Sequence, residues 1–282
     1  MASSLVQDLI EAGIHFGQRK ASWNPRMQPF IYGVRNKIHI IDIRETIKGL
    51  LLAKKFIAKM VADGKDVCLV GTKRQARASI EKAAREVGMP YVTERWLGGT
   101  LTNFRTIRDR LKRLEELERL NETGEIATYS KKMKAQLDRE MAKIKRNLEG
   151  IRTMAKMPGA MFVIDVNREV NALREARTLG IPTVCLVDTD GDPDMADIAI
   201  PGNDDSMRSI EVIVREIAEA IKQGKAGRTA QAEGAEDEAA SQAQQQPRER
   251  RRSSRFRSER SASASDSAPE PSETGVPAAS EV

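Results

Sequence analysis

The residues of this 282-residue chain that most resemble chemical machinery are four aspartates at alternate positions, Asp188, Asp190, Asp192 and Asp194, in the run VDTDGDPDMAD. Carboxylates spaced in this way can gather around Mg²⁺ or Ca²⁺, and a cation held there would suit a phosphate or nucleotide enzyme. The loop around them argues otherwise. A calcium loop beginning at Asp188 needs glycine at its sixth position and a bidentate acid at its twelfth, where the chain has Pro193 and Ala199. A turn rich in Asp and Gly beyond a buried strand accounts for the run without a cation. Other catalytic fingerprints are missing: no G-x-G-x-x-G follows a strand, and VGTKRQA (70–76) lacks the loop length that wraps phosphates. No serine or cysteine lies in a nucleophile motif. His39, inside KIHIID, reads as a packed residue. The expectation is no catalytic residue, no cofactor and no metal site.

Other polar residues fit binding better than turnover. Lys73 and Arg74 mark a basic strand-to-helix corner and are expected to point to solvent. In RWLGGTLTNF (95–104) the pair Gly98-Gly99 lets the backbone turn tightly, and Thr100, Thr102 and Asn103 can cap the helix that follows. Arg95 and Trp96 before the pair offer a cation and a flat face.

These residues need elements to position them. Short aliphatic runs alternate with amphipathic ones from Ile31 to Lys222, the pattern of a parallel sheet covered by helices on both faces. The expected strands are Ile38–Ile43, Val67–Val70, Tyr91–Val92, Met161–Ile164, Thr183–Val187 and Ile198–Ile200. Helical spacing links Ile47, Leu50, Leu51, Lys54, Ala58 and Val61, then Ile80, Ala83, Ala84 and Val87. Further helices run from Glu169 to Leu179 and through Ile210, Ile213, Val214, Ile217 and Ile221.

Residues 103–156 break the alternation. Ile107, Leu111, Leu114, Leu117 and Leu120 form one apolar stripe, and Met133, Leu137, Met141, Ile144, Leu148, Ile151 and Ala155 a second, near-heptad one. With NETGE (121–125) between them, they predict an inserted antiparallel coiled-coil hairpin between the two parts of the α/β domain, 1–102 and 157–224. Outside the seam this arm holds fifteen Lys+Arg against nine Asp+Glu. A mixed-sign helix face is ordinarily just solvated, yet such a surplus on a thin arm gives phosphates a target.

From Lys225 the branched aliphatics give way to Ala, Gln, Ser, Glu, Arg and Pro, so 225–282 is expected to be a disordered low-complexity tail. Residues 1–224 then carry the basic surplus, 38 Lys+Arg against 31 Asp+Glu. That balance favours an anionic partner such as nucleic acid. Cys68 and Cys185 lie in apolar runs and read as buried, reduced thiols. The N-terminus resembles neither a signal peptide nor a membrane span, so a cytoplasmic protein without a membrane partner is expected.

Six stretches in order, AGIHFGQRKASWNPRMQPFIYGVRNKIHIID (12–42), LVGTKRQA (69–76), RWLGGTLTNF (95–104), PGAMFVID (158–165), LGIPTVCLVDTDGDPD (179–194) and IPGNDDSMRSI (200–210), resemble the bacterial small-subunit ribosomal protein S-two family. The resemblance covers about residues 5–224. It implies a flavodoxin-like sheet with a coiled-coil insertion and a non-catalytic part of the translation machinery that binds small-subunit ribosomal RNA. It also implies neighbouring ribosomal proteins as partners, among them ribosomal protein S-one, held near the messenger exit site of a cytoplasmic ribosome. The family's motif HFGHxxxxWNPxM falls on His15, Phe16, Gly17, Gln18, Trp23, Asn24, Pro25 and Met27. Gln18 stands in place of the second histidine, which removes the histidine pair on which a metal or pH-linked role would rest.

Around that motif Arg19, Lys20 and Arg26 can neutralise phosphates while Phe16 and Trp23 present stacking surface; equally, the two aromatics can pack inside and leave the cations solvated. On the arm, Arg105, Arg108, Lys112 and Arg113, with Lys131, Lys132 and Lys134, are the candidates for contact with RNA backbone.

Overall fold

The computed structural model describes residues 2–245, with side chains over 5–126 and 128–228. The chain begins with α1 (Ala2–Glu11) and a small antiparallel sheet of β1 (Phe16–Arg19), β2 (Ile31–Arg35) and β3 (Ile38–Ile41), in the order β1-β3-β2. Then follow α2 (Ile43–Ala62), β4 (Val67–Val70), α3 (Arg74–Val87), β5 (Tyr91–Val92), α4 (Phe104–Glu122), α5 (Lys131–Leu148), β6 (Ala160–Ile164), α6 (Val170–Leu179), β7 (Thr183–Val187), β8 (Ile198–Pro201) and α7 (Met207–Gln245).

Strands β4 to β8 form one parallel sheet in the order β5-β4-β6-β7-β8. Numbered within that sheet the order is 2-1-3-4-5, the flavodoxin-like arrangement, whose topological switch point lies between β4 and β6. Every residue of β4, β6 and β7 is buried, as a strand covered on both faces requires. Val67, Leu69, Phe162, Ile164, Val184 and Leu186 meet α1, α2, α3 and α7 on one face. Their neighbours Cys68, Val70, Met161, Val163, Cys185 and Val187 meet α4, α5 and α6 on the other. Period-two alternation thus divides one sheet between two cores.

Local chemistry sets the helix ends. The Asp42 side chain accepts from the Arg44 amide at 2.9 Å and starts α2, whose Leu50, Ala53, Ile57 and Val61 form a buried stripe at helical spacing. Gly88 closes α3 and Gly180 closes α6, each left-handed, at φ 59° and 66°.

Two expectations need correction. Ile38–Ile43, assigned to the parallel sheet, becomes β3 of the antiparallel one and ends at Ile41. The reason is the two-residue turn Asn36-Lys37, at φ 52° and 64°, which joins Arg35 to its partner Ile38 and folds the chain straight back. Residues 225–245, assigned to the tail, are helical as the end of α7. Ala, Gln, Glu and Lys are strong helix formers even where they cannot build a core. The remainder of the expected disorder, 246–282, lies outside the described residues.

Helices α4 and α5 are joined through a 3₁₀ turn at Glu125–Thr128 and pack together. Ile107, Leu111, Leu114 and Leu117 of α4 are buried, as are Ile144 and Leu148 of α5, while Met133 near the start of α5 is exposed.

Candidate nucleic-acid interface

In a flavodoxin-like sheet a ligand would bind at the carboxyl ends of β4 and β6. Here that crevice holds the chain's own side chains. Lys73, just after β4, places Nζ 2.7 Å from Asp204, 2.6 Å from Asp205 and 3.4 Å from Asp165. Burial alone would lower the Lys73 ammonium, but its hydrogen bonds to Asp204 and Asp205 and the charge of Asp165 hold it well above its ordinary value. Sequence reading expected Lys73 to face solvent; instead its side chain is 13% exposed, drawn inward by three carboxylates that the topology brings to the same carboxyl end of the sheet. Arg74 is exposed as expected.

Gln18 completes the group. Its Nε2 donates to Asp188 at 3.1 Å and to Asp205 at 2.6 Å, and its backbone amide donates to Thr189 Oγ1 at 2.8 Å. Strand β1 approaches so closely that a Cβ on Gly17 would lie 2.5 Å from Thr189 Cγ2. Asp188, Asp204 and Asp205 bring one oxygen each within 4.8 Å of one another. Into that group point Lys73 and Gln18, an ammonium and an amide that supply the positive charge and the donors. Burial raises the Asp188 and Asp204 carboxyls, helped by neighbouring carboxylates.

The four alternating aspartates do not converge. Asp188 turns inward and Asp190 is exposed, while Asp192 and Asp194 pair with Arg26 at 2.6 and 3.1 Å. Proline at 193 and the cap that Asp192 makes on the Asp194 amide turn that half of the loop outward. Arg26 is therefore exposed but occupied. Asn24 binds the Arg26 amide through Oδ1 and donates its own amide to Thr189 O at 2.8 Å, so the N-terminal motif clamps the loop after β7.

The aromatic candidates separate. Trp23 is half-buried and lies 5.2 Å from the His39 ring; His39 is buried, as expected. Phe16 is 46% exposed and lies 4.1 Å from the His15 ring, whose Nδ1 is buried without a hydrogen-bond partner. Burial lowers the imidazole of His15, and of His39 with the added charge of Lys20, so neither gains a proton readily. Trp96, offered as a contact face, is instead in the core, where Nε1 donates to Glu175 at 3.0 Å. Its size favours burial once a partner for the indole N–H is at hand. Arg95 beside it is exposed.

Glu175, on α6, also explains the glycine pair. Its carboxylate accepts from the amides of Gly99 (2.8 Å), Leu101 (2.9 Å) and Thr102 (3.1 Å), with Gly99 left-handed at φ 88°. Burial works to raise this carboxyl, but the bonds from Leu101, Trp96, Gly99 and Thr102 outweigh it and hold it below its ordinary value. The pair is thus a tied entry to α4. Asn103 caps α4 by position, although its Oδ1 accepts from the Thr106 hydroxyl rather than from a backbone amide.

Around α4 and α5 Arg108 donates to Met154 O, Lys112 pairs weakly with Asp109 at 3.7 Å, and Arg113 bridges Glu116 and Glu140. Arg105, Lys131, Lys132 and Lys134 are exposed and, among the described residues, pair with no carboxylate. Sequence reading missed Asp165, Glu175, Asp204 and Asp205. The last two sit in IPGNDDSMRSI, where a double acid after a strand was the available signal.

Fold and site together define an α/β scaffold whose ligand crevice is filled from within, not a nucleotide enzyme. Residues 9–224 match the family profile Ribosomal protein S2. The small ribosomal subunit protein uS2 of Rhodopirellula baltica is 56% identical over 225 residues, covering 80% of this chain and 86% of its own. Those of Solidesulfovibrio magneticus and a Nitratiruptor species are 49% and 45% identical, over 78% and 84% of this chain and 86% and 89% of theirs. The chain belongs to the ribosomal protein S2 family. It is a ribosomal protein of the small subunit, with its role in translation and its place on the cytoplasmic ribosome, and is not an enzyme. No helix among the described residues is long and apolar enough to cross a membrane.

Proposed function

We propose that the protein binds small-subunit ribosomal RNA as a structural component, through cations held out from a rigid α/β body. The observation that carries this reading is the contrast between occupied and free cations. Lys73 and Arg26 are consumed internally, whereas Arg19, Lys20, Arg74, Arg95, Arg105, Lys131, Lys132 and Lys134 are exposed and, among the described residues, form no ion pair. Phosphates gain from neutralising charges that the protein has not already neutralised.

In this reading residues 103–156 form an inserted coiled-coil arm between 1–102 and 157–224, and the arm contacts RNA backbone by shape rather than base identity. Neighbouring small-subunit proteins are the second partner class. The family resemblance adds ribosomal protein S-one, anchored near the messenger exit site. The test is incorporation of tagged full-length chain into small subunits across a salt series, with S-one followed in the same fractions. Incorporation that is salt-sensitive, and that carries S-one only when this chain is present, supports the reading. Incorporation indifferent to salt contradicts the electrostatic part.

A further inference from the structure

The β2–β3 hairpin carries a surface that the sequence reading did not single out. Tyr32, on β2 at the edge of the small sheet, is 81% exposed, the most exposed of the large hydrophobic residues among those described. Val34 on the same strand is also exposed. Four cations gather at the tip. Arg19 and Arg35 are both register partners of Ile38, and Lys20 donates its amide to Lys37 O at 2.9 Å. All four are exposed and, among the described residues, none pairs with an acid. The chain has no Asp or Glu between Glu11 and Asp42.

The tip shows the same bias in its backbone. Lys37 holds φ 64° in a turn position that glycine adopts without cost, so a charged side chain stands where conformation favours none.

We propose that this hairpin is a docking surface for a single-stranded stretch of RNA, with an unstacked base on the Tyr32 ring and the backbone on Arg19, Lys20, Arg35 and Lys37. The proposal rests on the RNA-binding reading above and adds the site and the form of nucleic acid. An exposed ring on the strand that leads into a tip of uncompensated cations asks for a partner with both flat apolar faces and negative charge, and single-stranded RNA supplies both in every nucleotide. Helical RNA has its bases stacked away and would use the cations alone. An acidic, aromatic-containing peptide is the competing occupant.

The test uses the full chain and three fluorescent probes: a ten-nucleotide oligouridine, a hairpin RNA of similar charge, and a Glu/Phe peptide. Tyr32→Ala should weaken oligouridine binding about tenfold while Tyr32→Phe keeps it, because stacking needs the ring and not the hydroxyl. Hairpin RNA should respond little to either change, and Arg35→Glu with Lys37→Glu should weaken both RNAs and flatten their salt dependence. Equal oligouridine binding by the Ala and Phe variants overturns the proposal, as does a Tyr32-dependent preference for the peptide. If hairpin RNA still binds in either case, the broader RNA-binding reading survives; if wild type binds no RNA and enters no subunit, that reading fails instead.

Discussion

Lys73 Nζ and Asp204 Oδ1 lie 2.7 Å apart at the carboxyl end of a parallel sheet, where a flavodoxin-like fold would otherwise receive a ligand. Their side chains are 13% and 4% exposed, so the pair is shielded from solvent and unavailable to a phosphate. A crevice closed by the chain's own charges fits a scaffold better than a turnover site.

Removing Lys73 should expose this dependence. Lys73→Met leaves Asp204, Asp205 and Asp165 facing one another without a cation, and breaking a buried pair in this way costs about 3 kcal/mol. Asp188 and Asp204 have raised values in the folded chain, so folding takes up protons at these sites and their contribution to stability falls as pH rises. Without the lysine that trend steepens. The deficit of Lys73→Met in urea unfolding is expected to be smaller at about pH 5 than at about pH 9. A deficit that does not change with pH would show that the carboxylates are not coupled to the lysine.

Glu175 offers the opposite sign. Its folded value is depressed, so its stabilising effect is present above the ordinary carboxylate value and is lost as pH falls through the folded one. Glu175→Gln should cost about 2 kcal/mol at neutral pH, the worth of charge-assisted bonds, and the difference from wild type should shrink in acid. Urea titration near pH 7 and in acid checks both. The same variant should loosen the entry to α4, read as faster amide exchange at Gly99, Leu101 and Thr102.

Much of this was legible in the sequence. The strands Val67–Val70 and Thr183–Val187 fall at their expected bounds because fully buried strands are near-continuous apolar runs between turn signals, and the short edge strand Tyr91–Val92 is bounded by the turn signal Gly88-Met89-Pro90 before it. The small antiparallel sheet was hidden: Phe16-Gly17-Gln18-Arg19 has no alternation, and Asn36-Lys37 makes its left-handed turn without a glycine. At the site, residue type was readable but direction was not. Lys73 and Trp96 turned inward because Asp204 and Glu175 wait there, 131 and 79 residues away in sequence, and no local pattern reports such a partner.

The thiols give a simple check on the core. Cys68 and Cys185 are buried and free, and burial pushes the Cys68 thiol up to about 12, with Cys185 also raised. The native chain should therefore resist a thiol reagent that labels both in urea. Rapid labelling under native conditions would mean that the sheet opens locally.

The arm's role can be read by charge reversal. Lys131, Lys132 and Lys134 are exposed, so changing all three to Glu should leave the melting temperature nearly unaltered while weakening RNA association. Each lost phosphate contact also lowers the salt slope by roughly 0.7–0.9. Unaltered association and slope would remove the arm from the interface.

The central claim is that uncompensated cations on a catalytically silent scaffold bind ribosomal RNA. Its most direct measurement is contact mapping within purified small subunits: ultraviolet cross-linking with residue-level identification of the peptides joined to RNA. The account predicts cross-links at the hairpin around Tyr32 and along the arm near Lys131, and none at Lys73 or Trp96. Cross-links confined to the Lys73 crevice, or a chain in the subunit that touches only protein, would contradict it.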